Sequence, residues 1–132
     1  VNPIHYALAY DASFIARGYS LNTKHLVMLI TEAIKHPGFA IIDVISPCVT
    51  FRGDEQYKTL KEKVKEIGSE HDITDKVKAF DLAQDQEDGS IPIGIFYKKA
   101  RTTYQEHIKE IQAKAQKGGK NTLNDIYEIF QA

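Results

Sequence analysis

Residues Phe39-Ala40-Ile41-Ile42-Asp43-Val44-Ile45 form an apolar run that stops at Ser46-Pro47-Cys48. Asp43 is its one polar interruption, so the run predicts a strand covered on both faces, as in a parallel sheet. Pro47 lacks the N–H that a sheet ladder needs, so the strand must end there. The chain's single cysteine therefore sits just past the carboxyl end of a predicted interior strand. Open α/β sheets bind their ligands along that edge.

The residues before this run supply its partner. Asn2-Pro3 is a helix-entry pair, and a short helix is expected to Tyr10. Phe14 and Ile15 predict a short strand, Ser13 to Ala16, that ends at Arg17-Gly18. Asn22 is a good helix cap, and Leu26, Val27, Ile30, Ala33 and Ile34 follow at helical spacing until Pro37-Gly38 breaks the pattern. Two strands joined by such a helix make a right-handed parallel crossover.

After Cys48 the character changes. Asp54 is expected to cap a helix carrying Tyr57, Leu60, Val64 and Ile67 inward, and a second helix is expected from Asp72 to Ala83. Asp85 to Gly89 is an acidic loop. Ser90 to Lys98 is extended, and Pro92 demotes it to an edge or irregular strand. Thr103 and Glu106 form a capping box, with Tyr104, Ile108, Ile111 and Ala115 on one stripe. A last helix is expected from Thr122.

Composition removes several function classes. The chain has 132 residues, 27% of them charged, and a net charge of −1. That balance argues against a dedicated nucleic-acid binder, although Lys98, Lys99, Arg101, Lys109, Lys114, Lys117 and Lys120 make the last third locally basic. Glu106 and Glu110 interrupt these charges, as on a solvated helix face. No apolar stretch approaches the roughly 20 residues of a membrane span. A single cysteine forms no internal disulfide and nothing points to secretion, so a cytoplasmic protein is expected. The five histidines show no metal-ligand spacing, and no metal site is expected from this chain alone. The chain opens on Val1, and its only Met is Met28, which reads as a fragment or a processed product.

By residue type alone, Cys48 reads as a small buried hydrophobe. Its place in a strand-exit loop argues for a nucleophile, a redox thiol or a metal ligand. Ala16-Arg17-Gly18-Tyr19-Ser20 reads either as an ordinary surface turn or as the matching exit from the neighbouring strand. In the second case Arg17, Lys24 and Cys48 share one rim. A cationic rim beside a redox centre would attract an acidic electron carrier.

The order of these motifs resembles the β subunit of 2-oxoacid:ferredoxin oxidoreductases. The likeness rests on Phe14-Ile15-Ala16-Arg17-Gly18-Tyr19, Lys24-His25-Leu26, Ala33-Ile34-Lys35-His36-Pro37-Gly38-Phe39 and Ile42-Asp43-Val44-Ile45-Ser46-Pro47-Cys48. It continues through Ile91-Pro92-Ile93-Gly94-Ile95-Phe96-Tyr97 and Arg101-Thr102-Thr103-Tyr104, with Thr102 where the family commonly has Pro. The resemblance implies an α/β fold: a three-layer, parallel-sheet fragment of a thiamine-diphosphate-binding domain over residues 1–50, then a mostly helical C-terminal extension of the β subunit over 51–132. It implies an enzyme that converts 2-oxoacids and coenzyme A to acyl-CoA and passes electrons to ferredoxin. The implied cofactors of the intact enzyme are thiamine diphosphate, Mg²⁺ and a [4Fe–4S] cluster, and its implied partners are an α subunit and ferredoxin. Cys48 matches the family's fourth cluster ligand. The other three cysteines and the Gly-Asp-Gly…Asn motif do not occur in this sequence, so the chain alone is expected to bind no cofactor and to be inactive. The competing reading is a self-contained α/β interaction or regulatory domain; a nucleic-acid module ranks last.

Overall fold

The computed structural model describes residues 2–84 and 86–117. Its elements are α1 (Pro3–Ala9), β1 (Phe14–Tyr19), α2 (Thr23–Lys35), β2 (Ala40–Ile45), α3 (Val49–Lys63), β3 (Val64–Glu66), α4 (Lys76–Leu82), β4 (Ile91–Lys98) and α5 (Tyr104–Lys117). They divide into two units, Val1–Arg101 and Thr102–Ala132. Asp85, within the expected acidic loop, and the helix expected from Thr122 lie outside the described residues.

The first unit is built on one sheet of order β2-β1-β4-β3. Strands β1 and β2 are parallel with Arg17 opposite Asp43 and Tyr19 opposite Ile45, as the crossover through α2 requires. Asn22 caps α2 by accepting from the His25 N–H, and Asn2 caps α1 by accepting from the Ile4 N–H at 3.1 Å. Helix α2 covers one sheet face, where Phe14, Ala16 and Leu29 form a buried cluster. Helices α1 and α4 cover the other, where Ile4, Leu8, Ile15, Phe96 and Tyr97 are buried together. Three layers result, in agreement with the expected α/β class. The sheet is mixed rather than wholly parallel, because β4 runs antiparallel to β1.

Several local expectations are corrected. Strand β2 lies at the sheet edge and is mostly half-buried, with Val44 exposed. An apolar run reports the burial its side chains favour, not whether a neighbour is present to supply it. Strand β1 continues through Arg17-Gly18 to Tyr19. Gly18 fits there because α2 packs directly on it: a Cβ at this position would lie 2.6 Å from Leu26 Cδ1. Val64-Lys65-Glu66, expected as helix, pairs in parallel with Ile91-Pro92-Ile93. Helix α3 begins at Val49 rather than after Asp54 and is interrupted at Gly53. Helix α4 starts at Lys76 rather than Asp72, capped by Asp75, whose carboxylate accepts from the Val77 and Lys78 N–H groups.

Strand β4, expected as an edge or an irregular strand because of Pro92, is irregular, with a register shift against β1, and lies between β1 and β3. Its two neighbours engage different halves. Residues Ile91–Ile93 pair with β3 and Gly94–Lys98 with β1. The Ile67 N–H donates to Ile93 O at 2.8 Å, so the backbone of Ile93 faces β3. Backbone directions alternate along a strand, so Pro92 faces the side where the β1 ladder has ended. A bulge between Ile15 and Ala16 leaves Phe96 without an opposite residue. Its carbonyl is held instead by His71 Nε2 at 2.8 Å.

The turn from α2 into β2 is locked by a buried serine. Ser13 Oγ donates to Phe39 O at 3.0 Å and accepts from the Phe39 N–H at 2.9 Å. Its third partner, His36 Nε2 at 3.0 Å, must therefore donate, which fixes the tautomer. His36 Nδ1 is buried without a partner among the described residues. Burial, reinforced by the charge of Lys98, lowers the His36 pKa. Lys98 is itself paired with Glu32 at 2.7 Å. A histidine depressed in the folded state contributes stability that is present above its unfolded value of about 6.5 and lost as pH falls below it. We expect the melting temperature to fall between pH 7 and 5, and His36→Gln to flatten that slope. An equal slope in both proteins would exclude His36 as its source.

In the second unit Thr103 and Glu106 form the expected capping box: the Thr103 N–H donates to Glu106 Oε2 at 2.8 Å, and the Glu106 N–H donates to Thr103 Oγ1 at 3.3 Å. None of the residues of α5 is buried.

Candidate functional site

The carboxyl ends of β1 and β2 are tied together and open into two loops. The Ser20 N–H donates to Ile45 O at 2.9 Å, and Ser20 Oγ donates to Ser46 Oγ at 3.3 Å. Ser46 and Pro47 then lead the chain away from the sheet. Cys48 follows, exposed, in extended backbone at the N-cap position of α3. Its side chain makes no capping bond. Its backbone is fixed instead: the N–H donates to Gln56 Oε1 at 3.4 Å and the carbonyl accepts from the Arg52 N–H at 3.0 Å. The result is an accessible thiol on an anchored loop at the end of a parallel β–α–β unit.

Lys24 lies in the first turn of α2, after the β1 exit, and is exposed. It therefore sits on the same sheet edge as Cys48. Arg17 does not join them. It belongs to β1 and is only 9% exposed. Its Nε donates to Asp43 Oδ2 at 2.8 Å, and its Nη2 donates to Asn2 Oδ1 at 3.3 Å. The guanidinium also lies 5.5 Å from the Phe96 ring centroid. Asn2 opens α1, and Phe96 belongs to the cluster under α1 and α4. Arg17 is thus on the face opposite α2, and the expected rim of Arg17, Lys24 and Cys48 is not formed. The reason is the extra length of β1: Arg17 lies within the strand, where alternation directs it to one face.

Asn2, Asp43, Ser13 and His36 were not singled out from the sequence as a structural set. Asp43 carried a signal, being the lone acid in an apolar run, but its partner became evident only from the register of β1 and β2. Beside the rim, burial and then the nearby Tyr57 raise the pKa of the Tyr19 phenol. It stays protonated, and its hydroxyl has no partner among the described residues.

A cubane cluster takes four thiolates, and this chain offers one. The fit is that of a single ligand: the thiol is exposed, makes no hydrogen bond, and its loop is anchored at both ends. No group of three metal-ligating side chains is assembled among the described residues.

Residues 48–113 match the family that describes the C-terminal region of the pyruvate ferredoxin oxidoreductase beta subunit. The chain belongs to that family. Its relatives include the 2-oxoacid:ferredoxin oxidoreductase subunit beta of a Sulfolobus species, 40% identical over 83% of this chain and 39% of that protein. The protein of the same name from Saccharolobus solfataricus is 37% identical over 83% of this chain and 40% of its own length. Among solved structures, a 2-oxoglutarate:ferredoxin oxidoreductase from Magnetococcus marinus with 2-oxoglutarate, coenzyme A and succinyl-CoA bound superposes with a TM-score of 0.80 at 29% identity. The match covers all of this chain and 44% of that one. The chain thus spans about two fifths of the length of the curated relatives it matches.

Proposed function

We propose that this chain is the C-terminal part of the β subunit of a 2-oxoacid:ferredoxin oxidoreductase. Residues 1–50 form the end of its thiamine-diphosphate-binding domain, and 51–132 form its C-terminal extension. The complete enzyme converts a 2-oxoacid and coenzyme A to acyl-CoA with an α subunit as partner, and delivers electrons to ferredoxin. Membership of the family and the placement of Cys48 support this reading together. The single observation that carries it is the exposed, anchored thiol at the carboxyl edge of a parallel strand pair.

Within the complete β subunit, one thiolate of a [4Fe–4S] cluster comes from Cys48, and three further cysteines come from polypeptide outside this sequence. Such a cluster supplies one-electron transfer when bound. This chain's own contribution is positional. Pro47 and the α3 start fix the loop, so the sulfur is presented without rearrangement. Lys24, exposed on the same edge, offers positive charge to an acidic electron carrier. Thiamine diphosphate and Mg²⁺ belong to the remaining part of the subunit in this proposal.

The test is anaerobic reconstitution with iron and sulfide. The isolated chain should stay colourless, without the absorbance near roughly 400 nm that belongs to this cluster type. The same chain joined to the remaining length of the Saccharolobus solfataricus subunit should gain it. A stable cluster on the isolated chain, or none on the joined one, would count against the proposal.

A further inference from the structure

A cavity of about 350 Å³ opens beside the carboxyl end of β1, lined from α3, β3 and β4. That volume lies within the range of small-molecule sites. Its floor is deep and its mouth is charged. Tyr19 and Ile93 line it at 4% and 1% exposure, with Val64 half-buried beside them. Lys61 and Glu66 line it from exposed positions. The cavity on Arg17 and Asp43 differs, because its two charges already close on each other at 2.8 Å. Here neither Lys61 nor Glu66 joins an ion pair among the described residues. Glu66 is nevertheless held in place, its Oε1 accepting from Asn22 Nδ2 at 2.9 Å. The Tyr19 hydroxyl is a third uncommitted group, buried and without a partner among the described residues. A buried donor in that state carries its full desolvation penalty, which a ligand oxygen would relieve.

The charges select the ligand. A simple carboxylate would be attracted by Lys61 and repelled by Glu66, and a simple amine the reverse. A neutral apolar molecule would strip water from both charges and offer neither a partner. The geometry points to a binding site for a free α-amino acid with an apolar side chain. Its carboxylate accepts from the Tyr19 hydroxyl and faces Lys61, its ammonium faces Glu66, and its side chain covers Ile93 and Val64. This site goes beyond the proposed function and does not rest on it.

Titration of the chain with L-leucine, followed by amide chemical shifts and by calorimetry, tests this. L-Leucine should bind saturably, one per chain, and shift the amides of Tyr19, Lys61 and Glu66. Isocaproate, which lacks the ammonium, and isoamylamine, which lacks the carboxylate, should each bind at least roughly tenfold more weakly. Tyr19→Phe should weaken L-leucine binding by roughly fivefold to tenfold. It should leave the melting temperature equal or higher, because the hydroxyl has no bond to lose. Lys61→Met, at an exposed position, should weaken binding similarly without altering the melt. No saturable binding of L-leucine at millimolar concentration would overturn the site. Isocaproate binding as tightly as L-leucine would overturn the amino-acid assignment in favour of a plain carboxylate. Unchanged affinity in either variant would show that the ligand sits elsewhere and would overturn the proposal as well.

Discussion

Gly38→Ala is expected to destabilise the first unit by about 3–5 kcal/mol, from backbone strain and from a broken buried network. Gly38 has φ +133°, a conformation that alanine adopts only under strain. An alanine Cβ there would lie 2.2 Å from Ser13 Oγ and 3.2 Å from His36 Nε2. Ser13 is 1% exposed and cannot retreat into solvent. Moving it would unmake its bonds to Phe39 and His36, which define where β2 begins. On a domain whose total stability is typically about 5–15 kcal/mol, this is a large fraction. Gly89 supplies the control. Its φ is +67° and nothing lies within 4 Å of the added Cβ, so Gly89→Ala should cost only the left-handed penalty of about 1–2 kcal/mol. Thermal melts of both variants by circular dichroism decide the matter. Equal losses at the two glycines would mean that the Ser13 network contributes nothing.

Asp43→Ala should cost about 2–3 kcal/mol, below the full value for breaking a buried ion pair because Asp43 is partly solvated. The side chains of Arg17 and Asp43 are 10% and 23% exposed. Removing the carboxylate leaves Arg17 under α1 with Asn2 Oδ1 as its remaining acceptor. Adding Arg17→Met removes the uncompensated charge, and most of the loss should return. Urea denaturation of the two single variants and the double variant reads the coupling directly. Strictly additive losses would show that the pair does not act as a unit. The pair also pins register, since Arg17 and Asp43 are opposite each other in the parallel ladder.

Much of the architecture was legible because it rests on local chemistry. Asn2-Pro3, Asn22 and the Thr103–Glu106 box are capping arrangements, and the crossover follows from strand, helix and strand in sequence. The failures share a cause in long-range pairing. Val64 and Ile67 fit a helical stripe extending from Leu60, but Ile91–Ile93 provides a ladder that converts Val64–Glu66 into strand. Pro92 argued for an edge or an irregular strand, and the second holds, because β4 changes neighbours midway along its length and shifts register against β1. The apolar β2 run indicated two covered faces, yet among the described residues its outer edge is unpaired. At the site, Cys48 could be placed because Pro47 ends a strand wherever the strand pairs. Arg17 was misplaced because a Gly two residues before a loop looks like a turn, when Gly18 is needed for the close approach of α2.

The central claim is that Cys48 is a cluster ligand, and it is tested most directly by Cys48→Ala in the chain joined to the remaining length of the Saccharolobus solfataricus subunit. After anaerobic reconstitution, iron content and the absorbance near roughly 400 nm should fall to a small fraction of those of the parent joined protein. The melting temperature should be unchanged before metal is added, because the exposed thiol makes no contact that folding needs. A variant that retains a full four-iron complement and an unaltered spectrum would contradict the claim.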